Sequence, residues 1–224
     1  MGIIEKLKIN AFTLKIIALI TMLIDHIGVA FFPHIMLFRI IGRLSFPIYA
    51  FLIVEGFKHT KNLKKYIARI LIIAIVSEVF FDLLFFNSLC FLNAQNSIFA
   101  FALGLTMLYM IKYRGSEVLN YVILALYIIL AIVLNIDYKI YGIALIYIYY
   151  MYRDKKLIMV CASGFLSLLY GGIQSYAIFS SIFLLFYDEN SKSISVSNKY
   201  IKYLFYIFYP LHLIILLGIK TLLY

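Results

Sequence analysis

Nine apolar runs follow one another along this chain, with only short polar connections between them. Most approach the roughly 20 residues that an α-helix needs to cross the hydrocarbon core of a bilayer. Of the 224 residues, 65% are hydrophobic and only 13% are charged, whereas about a quarter are charged in a typical soluble domain. We therefore predict an all-α polytopic membrane bundle of about nine helices (range eight to ten) in a single domain over residues 1–224. The runs are 14–32, 37–57, 67–86, 97–111, 118–134, 138–152, 156–170, 173–187 and 202–223.

Lysine and arginine are distributed unevenly between the two predicted sides of the membrane. With nine helices and a cytoplasmic N-terminus, the outer side holds only Arg39, Arg43, Lys139 and Lys220. Positive residues favour cytoplasmic connections, so we predict a cell-membrane protein whose C-terminus lies outside. This bias explains the net charge of +10 without a nucleic-acid partner. The inner set is Lys6, Lys8, Lys15, Lys58, Lys61, Lys64, Lys65, Arg69, Lys112, Arg114, Arg153, Lys155, Lys156, Lys192, Lys199 and Lys202.

Seven ionisable side chains fall inside the apolar runs. Such groups are costly in lipid, so they normally pair or face a wet cavity. Their positions in the runs place all seven in the middle and outer half of the membrane, where we expect them to form one pocket. They are Asp25, His26, Arg39, Arg43, Glu78, Asp82 and His212.

Helical spacing predicts how these groups pair. Arg39 and Arg43 share a face, as do Glu78 and Asp82, so the two carboxylates can neutralise the two guanidiniums. In the first run, small and polar residues form a stripe suited to close helix contact; it comprises Ala18, Thr21, Asp25 and Gly28. Asp25 and the next residue, His26, point about 100° apart. We therefore expect Asp25 to bind an arginine and His26 to occupy an adjacent face.

Each group has a structural and a functional interpretation. The arginine and carboxylate set is either an ion-pair network that supports the fold or a direct participant in binding or catalysis. For His26 a functional role is favoured, because an imidazole in mid-membrane is a poor choice for packing. His212 either has such a role or satisfies a carbonyl freed by Pro210. Glu55, near the inner end of the second run, is interpreted as a solvated helix end.

A basic connection follows the second run and contains Lys58, Lys61, Lys64 and Lys65, with Arg69 just beyond. It is either ordinary cytoplasmic charge in contact with lipid headgroups or a phosphate-binding mouth for a polyanionic cofactor such as coenzyme A.

Several classes of site are not supported by the sequence. It contains no Walker A loop, GxGxxG, HExxH or GxSxG pattern, which disfavours ATP-driven transport, dehydrogenase chemistry and standard serine or zinc hydrolysis. Cys90 and Cys161 predict neither a disulfide nor a metal site. A Ser-rich stretch over residues 188–198 is predicted to be an inner connection.

Two parts of the chain carry a family resemblance. Residues 14–28 and 39–51 contain the sequences LKIIA, IDHIG and RIIGRLSFPIYAF, and a short motif, YPLH, ends at His212. Together with Glu55-Gly56, Thr60, Tyr66, Arg69 and Glu78, they resemble the TraX family. The likeness is strongest over roughly residues 14–85 and at the C-terminal motif.

The resemblance implies an activity. TraX-like proteins are associated with conjugation, where the founding member acetylates the N-terminus of pilin, and the family is distantly similar to transmembrane acyltransferases. This implies acetyl-coenzyme A as a cytosolic donor and a protein or peptide acceptor at the opposite face. The expected general base, a histidine of the first helix, maps to His26, with Asp25, Arg39 and Arg43 around it.

The remaining groups receive roles from the same hypothesis. Arg43 and His212 would stabilise the oxyanion, and Glu78 and Asp82 would hold the arginines in place. The basic connection would bind coenzyme A. Two alternatives remain open: a proton-coupled small-solute transporter that uses the buried groups as a relay, and a non-catalytic subunit of a conjugation or envelope assembly.

Overall fold

A computed structural model describes residues 8–114, 116–189, 191 and 199–223, without the side chains of 199–202. Lys6, Lys192, most of the Ser-rich stretch and the side chains of Lys199 and Lys202 lie outside the described residues. The described residues are helical apart from connections and two isolated bridges, Ile9 to Tyr187 and Gln95 to Ile136. The all-α prediction is confirmed.

Nine helical segments in these described ranges coincide with the nine apolar runs, but two are interrupted. The second consists of α2 and α3, and the eighth of a 3-10 helix, η1, followed by α9. The bounds are α1 Ala11–Phe31, α2 Met36–Gly42, α3 Ser45–His59, α4 Leu63–Phe86, α5 Ser97–Arg114, α6 Glu117–Val133, α7 Lys139–Met151, α8 Lys156–Tyr170, η1 Gly172–Phe179, α9 Ser180–Leu185 and α10 Lys199–Leu223.

Among the described segments, three are long and apolar enough to cross a membrane: Ala11–Phe31, Met36–His59 and Tyr203–Leu223. Four other apolar helical stretches are shorter, among them α7 with 13 residues. At 1.5 Å per residue α7 is about 20 Å long, less than the roughly 30 Å of a bilayer core. The described segments therefore differ in how much of a bilayer each could cross.

The chain forms two compact units, each built from separated stretches of sequence. The first comprises Met1–Leu52 and Asp154–Phe208, and the second Ile53–Arg153 and Tyr209–Tyr224. In the first unit α1 packs along α2, and η1 packs against α2 and α8. In the second, α5 packs against α4, α6 and α7, and much of its surface is buried.

The contact between α1 and α2 is close because α1 presents small residues there. Ala18 is fully buried and its carbonyl accepts a hydrogen bond of 2.9 Å from Ser45 Oγ. A Cβ atom at Gly28 would overlap Phe38 of α2. The predicted small and polar stripe of α1 is thus confirmed as a helix contact.

The second segment breaks where a backbone donor is missing. Pro47 lies in the first turn of α3 and has no N–H to donate to the Arg43 carbonyl, so the α-helical hydrogen-bond pattern cannot run through. The Arg43 amide is shared between the carbonyls of Arg39 and Ile40, and the Leu44 amide donates to that of Ile41, all at 3.2 Å. Arg43, which the sequence placed within a continuous helix, lies at this break.

Candidate functional site

The first unit contains a buried cluster of charge formed by Asp25 of α1 and two arginines. Arg39 Nη1 lies 2.9 Å from Asp25 Oδ2, and Arg43 Nη2 lies 2.9 Å from Oδ2 and 3.1 Å from Oδ1. Asp25 is 8% exposed and Arg43 7% exposed, whereas the side chain of Arg39 is 33% exposed. The predicted pairing of Asp25 with an arginine is confirmed, and both arginines share it.

The helix break orients Arg43 toward Asp25. Its Nε atom donates to the Arg39 carbonyl at 3.2 Å, which holds the guanidinium against the end of α2. Gly42, the last residue of α2, lies against Asp25, and a Cβ atom there would overlap the carboxylate. A side chain at position 42 would therefore displace Asp25 from the arginines.

Gln174 of η1 completes the cluster and was not predicted from the sequence. Its Oε1 accepts a hydrogen bond of 3.4 Å from Arg43 Nη1, and the residue is 4% exposed. The only indication in the sequence was a single glutamine within a run of mostly apolar residues, which suggests a buried polar contact. Its partner lies 131 positions away, so no local pattern connects the two.

The cluster carries an excess of positive charge, since two guanidiniums face one carboxylate. Such an environment favours a ligand oxygen that is negative or becomes negative during a reaction. His26, next to Asp25 in α1, is 8% exposed and belongs to the same unit. The first unit therefore contains an anion-stabilising group and a buried imidazole.

Glu78 and Asp82 have partners in the connection between α4 and α5. Glu78 Oε2 accepts a hydrogen bond of 2.9 Å from the Asn96 amide, and Asp82 Oδ2 accepts one of 2.7 Å from the Phe91 amide. The chain turns back after α4 and places backbone donors beside both carboxylates. The predicted pairing of Glu78 and Asp82 with the arginines stays a prediction.

Glu55 is buried, contrary to the prediction of a solvated helix end. It is 5% exposed and forms an ion pair with Arg153 through both carboxylate oxygens, with Arg153 Nη2 2.8 Å from Oε2. His59 Nε2, one turn further along α3, lies 4.0 Å from Oε2. Arg153 is 98 residues away in the sequence, so the position of Glu55 near a helix end gave no indication of burial.

His212 is 3% exposed in α10, with its ring 5.3 Å from that of Tyr209 in an edge-on contact. In the same unit Lys220 Nζ donates to the Leu84 carbonyl at 2.7 Å, which ties the end of α10 to α4. The meeting of all seven ionisable groups at one level of the membrane stays a prediction.

The basic connection contributes to a pocket of about 220 Å³ between the start of α4 and the end of α5. Lys61, Lys64 and Lys112 line it, together with Tyr109 and Tyr113, whose ring centroids are 4.8 Å apart. The remaining lining residues are Thr60, Asn62 and Leu63.

Three of the predicted cofactor-binding residues do not line this pocket. Lys58 and Lys65 are exposed, and Arg69 is half-buried. Lys112, which the sequence analysis assigned only to cytoplasmic charge, takes a place beside Lys61 and Lys64. It comes from the end of α5, a distant stretch of the chain.

Comparison with known proteins identifies one family and two similar proteins. The model of the TraX protein family matches residues 11–220. A probable fimbrial assembly protein, FimC of serogroup H1 from Dichelobacter nodosus, is 28% identical over 96% of this chain and 98% of its own length. An uncharacterized protein of Rickettsia prowazekii (strain Madrid E) is 35% identical over 32% of this chain and 27% of its own. No solved structure matches.

Proposed function

This chain belongs to the TraX family, and on that premise we propose that it is a membrane-embedded acetyltransferase. Its donor is acetyl-coenzyme A, and its acceptor is an amine or hydroxyl at the outer side of the cell membrane. Three long apolar helices and many exposed large apolar side chains in the described residues support a membrane location. The observation that carries the proposal is the buried cluster of Asp25, Arg39 and Arg43.

The cluster suits acyl transfer because this reaction develops negative charge on one oxygen. When an acceptor attacks the thioester carbon, the carbonyl oxygen becomes an oxyanion. Arg43 stabilises that charge in a site with little water, where electrostatic interactions are strong. Asp25 binds both guanidiniums and fixes Arg43 before the substrate arrives.

His26 supplies the proton transfers. It takes a proton from the acceptor as the new C–N or C–O bond forms, a role matched to imidazole near neutral pH. When the tetrahedral intermediate collapses, the C–S bond breaks and the coenzyme A thiolate leaves. The proton held by His26 then goes to that thiolate, so the base is regenerated.

The pocket lined by Lys61, Lys64 and Lys112 binds the phosphates of coenzyme A. Three ammonium groups match a ligand with several phosphates, and the exposed ring of Tyr113 offers a face on which adenine can stack. The tyrosines support this interpretation over one of ordinary cytoplasmic charge.

The relative from Dichelobacter nodosus indicates the class of acceptor. It is named a probable fimbrial assembly protein, and a fimbrial subunit, like any protein with an unmodified first residue, presents an N-terminal amine. We propose such an N-terminus as the acceptor.

An acetyl-transfer assay tests this function. The purified protein in lipid nanodiscs is given acetyl-coenzyme A labelled in the acetyl group and a peptide with the N-terminus of a fimbrial subunit. We expect acceptor-dependent release of the coenzyme A thiol and an equal amount of label in the peptide. Acetyl-coenzyme A that stays intact with a panel of amine and hydroxyl acceptors would contradict the proposal.

A non-catalytic role in fimbrial assembly is a second candidate, favoured by the name of the same relative. It predicts that charge-neutral changes at His26 and Arg43 leave assembly intact as long as the protein inserts. The acetyltransferase proposal predicts that they abolish modification of the subunit.

A further inference from the structure

Gln174 leaves a buried donor group unused. Its Oε1 accepts a hydrogen bond from Arg43, but its Nε2 is buried and has no hydrogen-bond partner in the part of the chain that the structure describes. A guanidinium has donors and no acceptor. The amide oxygen must therefore face Arg43, and the two N–H groups of the amide remain available.

A buried amide without an acceptor is uncommon in folded proteins, because it has lost its water without replacing it. Gln174 lies in a 3-10 helix between α8 and α9, and it is 4% exposed. Gly171 and Gly172, at φ +76° and +56°, allow the sharp turn that precedes η1. The chain thus uses an unusual local conformation to place a polar side chain against the arginine cluster.

The surroundings of the amide define what it can bind. In the ion pairs described here, two guanidiniums share one carboxylate, which leaves an excess of positive charge beside the amide. An N–H group in that field binds an oxygen with partial or full negative charge in preference to a cation or another donor. A carbonyl oxygen that becomes an oxyanion fits both the donor and the field.

We propose that Gln174 is a second donor to the acyl oxygen of the substrate, beside Arg43. Its Nε2 donates to the carbonyl oxygen of the acetyl thioester and binds more strongly to the oxyanion that forms when the acceptor attacks. The bond then formed is C–N or C–O, the bond broken is C–S, and the thiolate leaves with the proton that His26 took from the acceptor. This role rests on the acetyl transfer proposed above.

Two substitutions separate this role from a structural one. Gln174→Glu keeps the size of the side chain and an oxygen toward Arg43 but removes both N–H donors. Gln174→Leu removes the donors and the acceptor. The control is Tyr176→Phe, on the same 3-10 helix, at a residue that is 41% exposed. The measurements are kcat and KM for acetyl transfer, the Kd of free coenzyme A, which has no acyl oxygen, and the thermal stability of each variant.

We expect Gln174→Glu to lower kcat by about 10²-fold, as loss of one oxyanion donor does elsewhere, with the Kd of coenzyme A and the thermal stability unchanged. Gln174→Leu should lower kcat as much, and Tyr176→Phe should match the wild type. Wild-type kcat in Gln174→Glu would overturn the role of Gln174 while leaving acetyl transfer intact. Equal losses of kcat, coenzyme A binding and stability would also overturn it, in favour of a structural role. Absence of transfer in the wild type would overturn the proposed function and this inference together.

Discussion

The Nη2 atom of Arg43 lies within hydrogen-bond distance of both carboxylate oxygens of Asp25, at 3.1 and 2.9 Å, and both residues are almost fully buried. Breaking a buried ion pair from one side leaves the other charge without compensation. The pair therefore supports the fold of the first unit as well as the proposed chemistry.

Removal of Arg43 should cost more stability than removal of Arg39. We expect Arg43→Ala to lower the free energy of unfolding by about 3–5 kcal/mol, because the buried Asp25 carboxylate loses the guanidinium that contacts both of its oxygens. Arg39→Ala should cost clearly less, since its side chain is one-third exposed and water screens its interaction with Asp25. Thermal unfolding in detergent compares them, and equal costs would contradict this ranking.

Gly42 should tolerate no side chain. A methyl group there overlaps the Asp25 carboxylate, so Gly42→Ala should destabilise the protein by about 1–3 kcal/mol and reduce acetyl transfer. Gly218 in α10 is the matched control, because a Cβ atom there has nothing within 4 Å. Gly218→Ala should leave both the midpoint of thermal unfolding and the activity unchanged or slightly raised. Wild-type stability in Gly42→Ala would show that the contact between α1 and α2 is looser than described.

The ion pair of Glu55 and Arg153 should stabilise the folded protein. Glu55→Gln removes the negative charge that binds Arg153 through both carboxylate oxygens and should cost about 3–5 kcal/mol. Glu117→Gln is the control, because Glu117 is exposed at the start of α6. The measurement is thermal unfolding of the single variants and of Glu55→Gln combined with Arg153→Leu. The double variant should recover part of the loss, and a double variant less stable than either single one would contradict the pairing.

The basic pocket should recognise phosphate. Replacing Lys61, Lys64 and Lys112 together with alanine should weaken coenzyme A binding by at least tenfold at low salt, with a smaller effect at high salt because exposed charges are screened. Lys58→Ala combined with Lys65→Ala removes two exposed lysines outside the pocket and should change the Kd much less. Isothermal titration gives both values. An equal loss in the two sets would favour diffuse surface charge over a defined pocket.

The parts of this structure that the sequence predicted are those that depend on local pattern. The lengths of the apolar runs predicted where the helical segments lie. The spacing of residues along one helix predicted the contact surface of α1 and the pairing of Asp25 with an arginine. The break at Arg43 also has a local cause, Pro47, but an apolar run continues through it and hides it. Counting hydrophobic residues cannot detect a missing backbone donor.

The parts that escaped prediction depend on partners far away in the sequence. Gln174 and Arg153 reach Arg43 and Glu55 only after the chain has folded, across separations of 131 and 98 residues. Asp82 accepts a hydrogen bond from the Phe91 amide in the connection that follows α4, a partner that charge complementarity does not indicate. A carboxylate near a turn accepts hydrogen bonds from nearby backbone amides, since an unpaired amide is costly where water is excluded.

The most direct test of the acetyltransferase is a comparison of His26→Ala with His34→Ala in the acetyl-transfer assay. His26 is buried beside Asp25, whereas His34 is exposed in the turn between α1 and α2. We expect His26→Ala to insert normally, to bind coenzyme A with wild-type affinity and to lower transfer by at least 10²-fold, as loss of a general base does, and His34→Ala to retain full activity. Full acetyl transfer by His26→Ala would contradict the account, because the proton of the acceptor would then have to leave by another route.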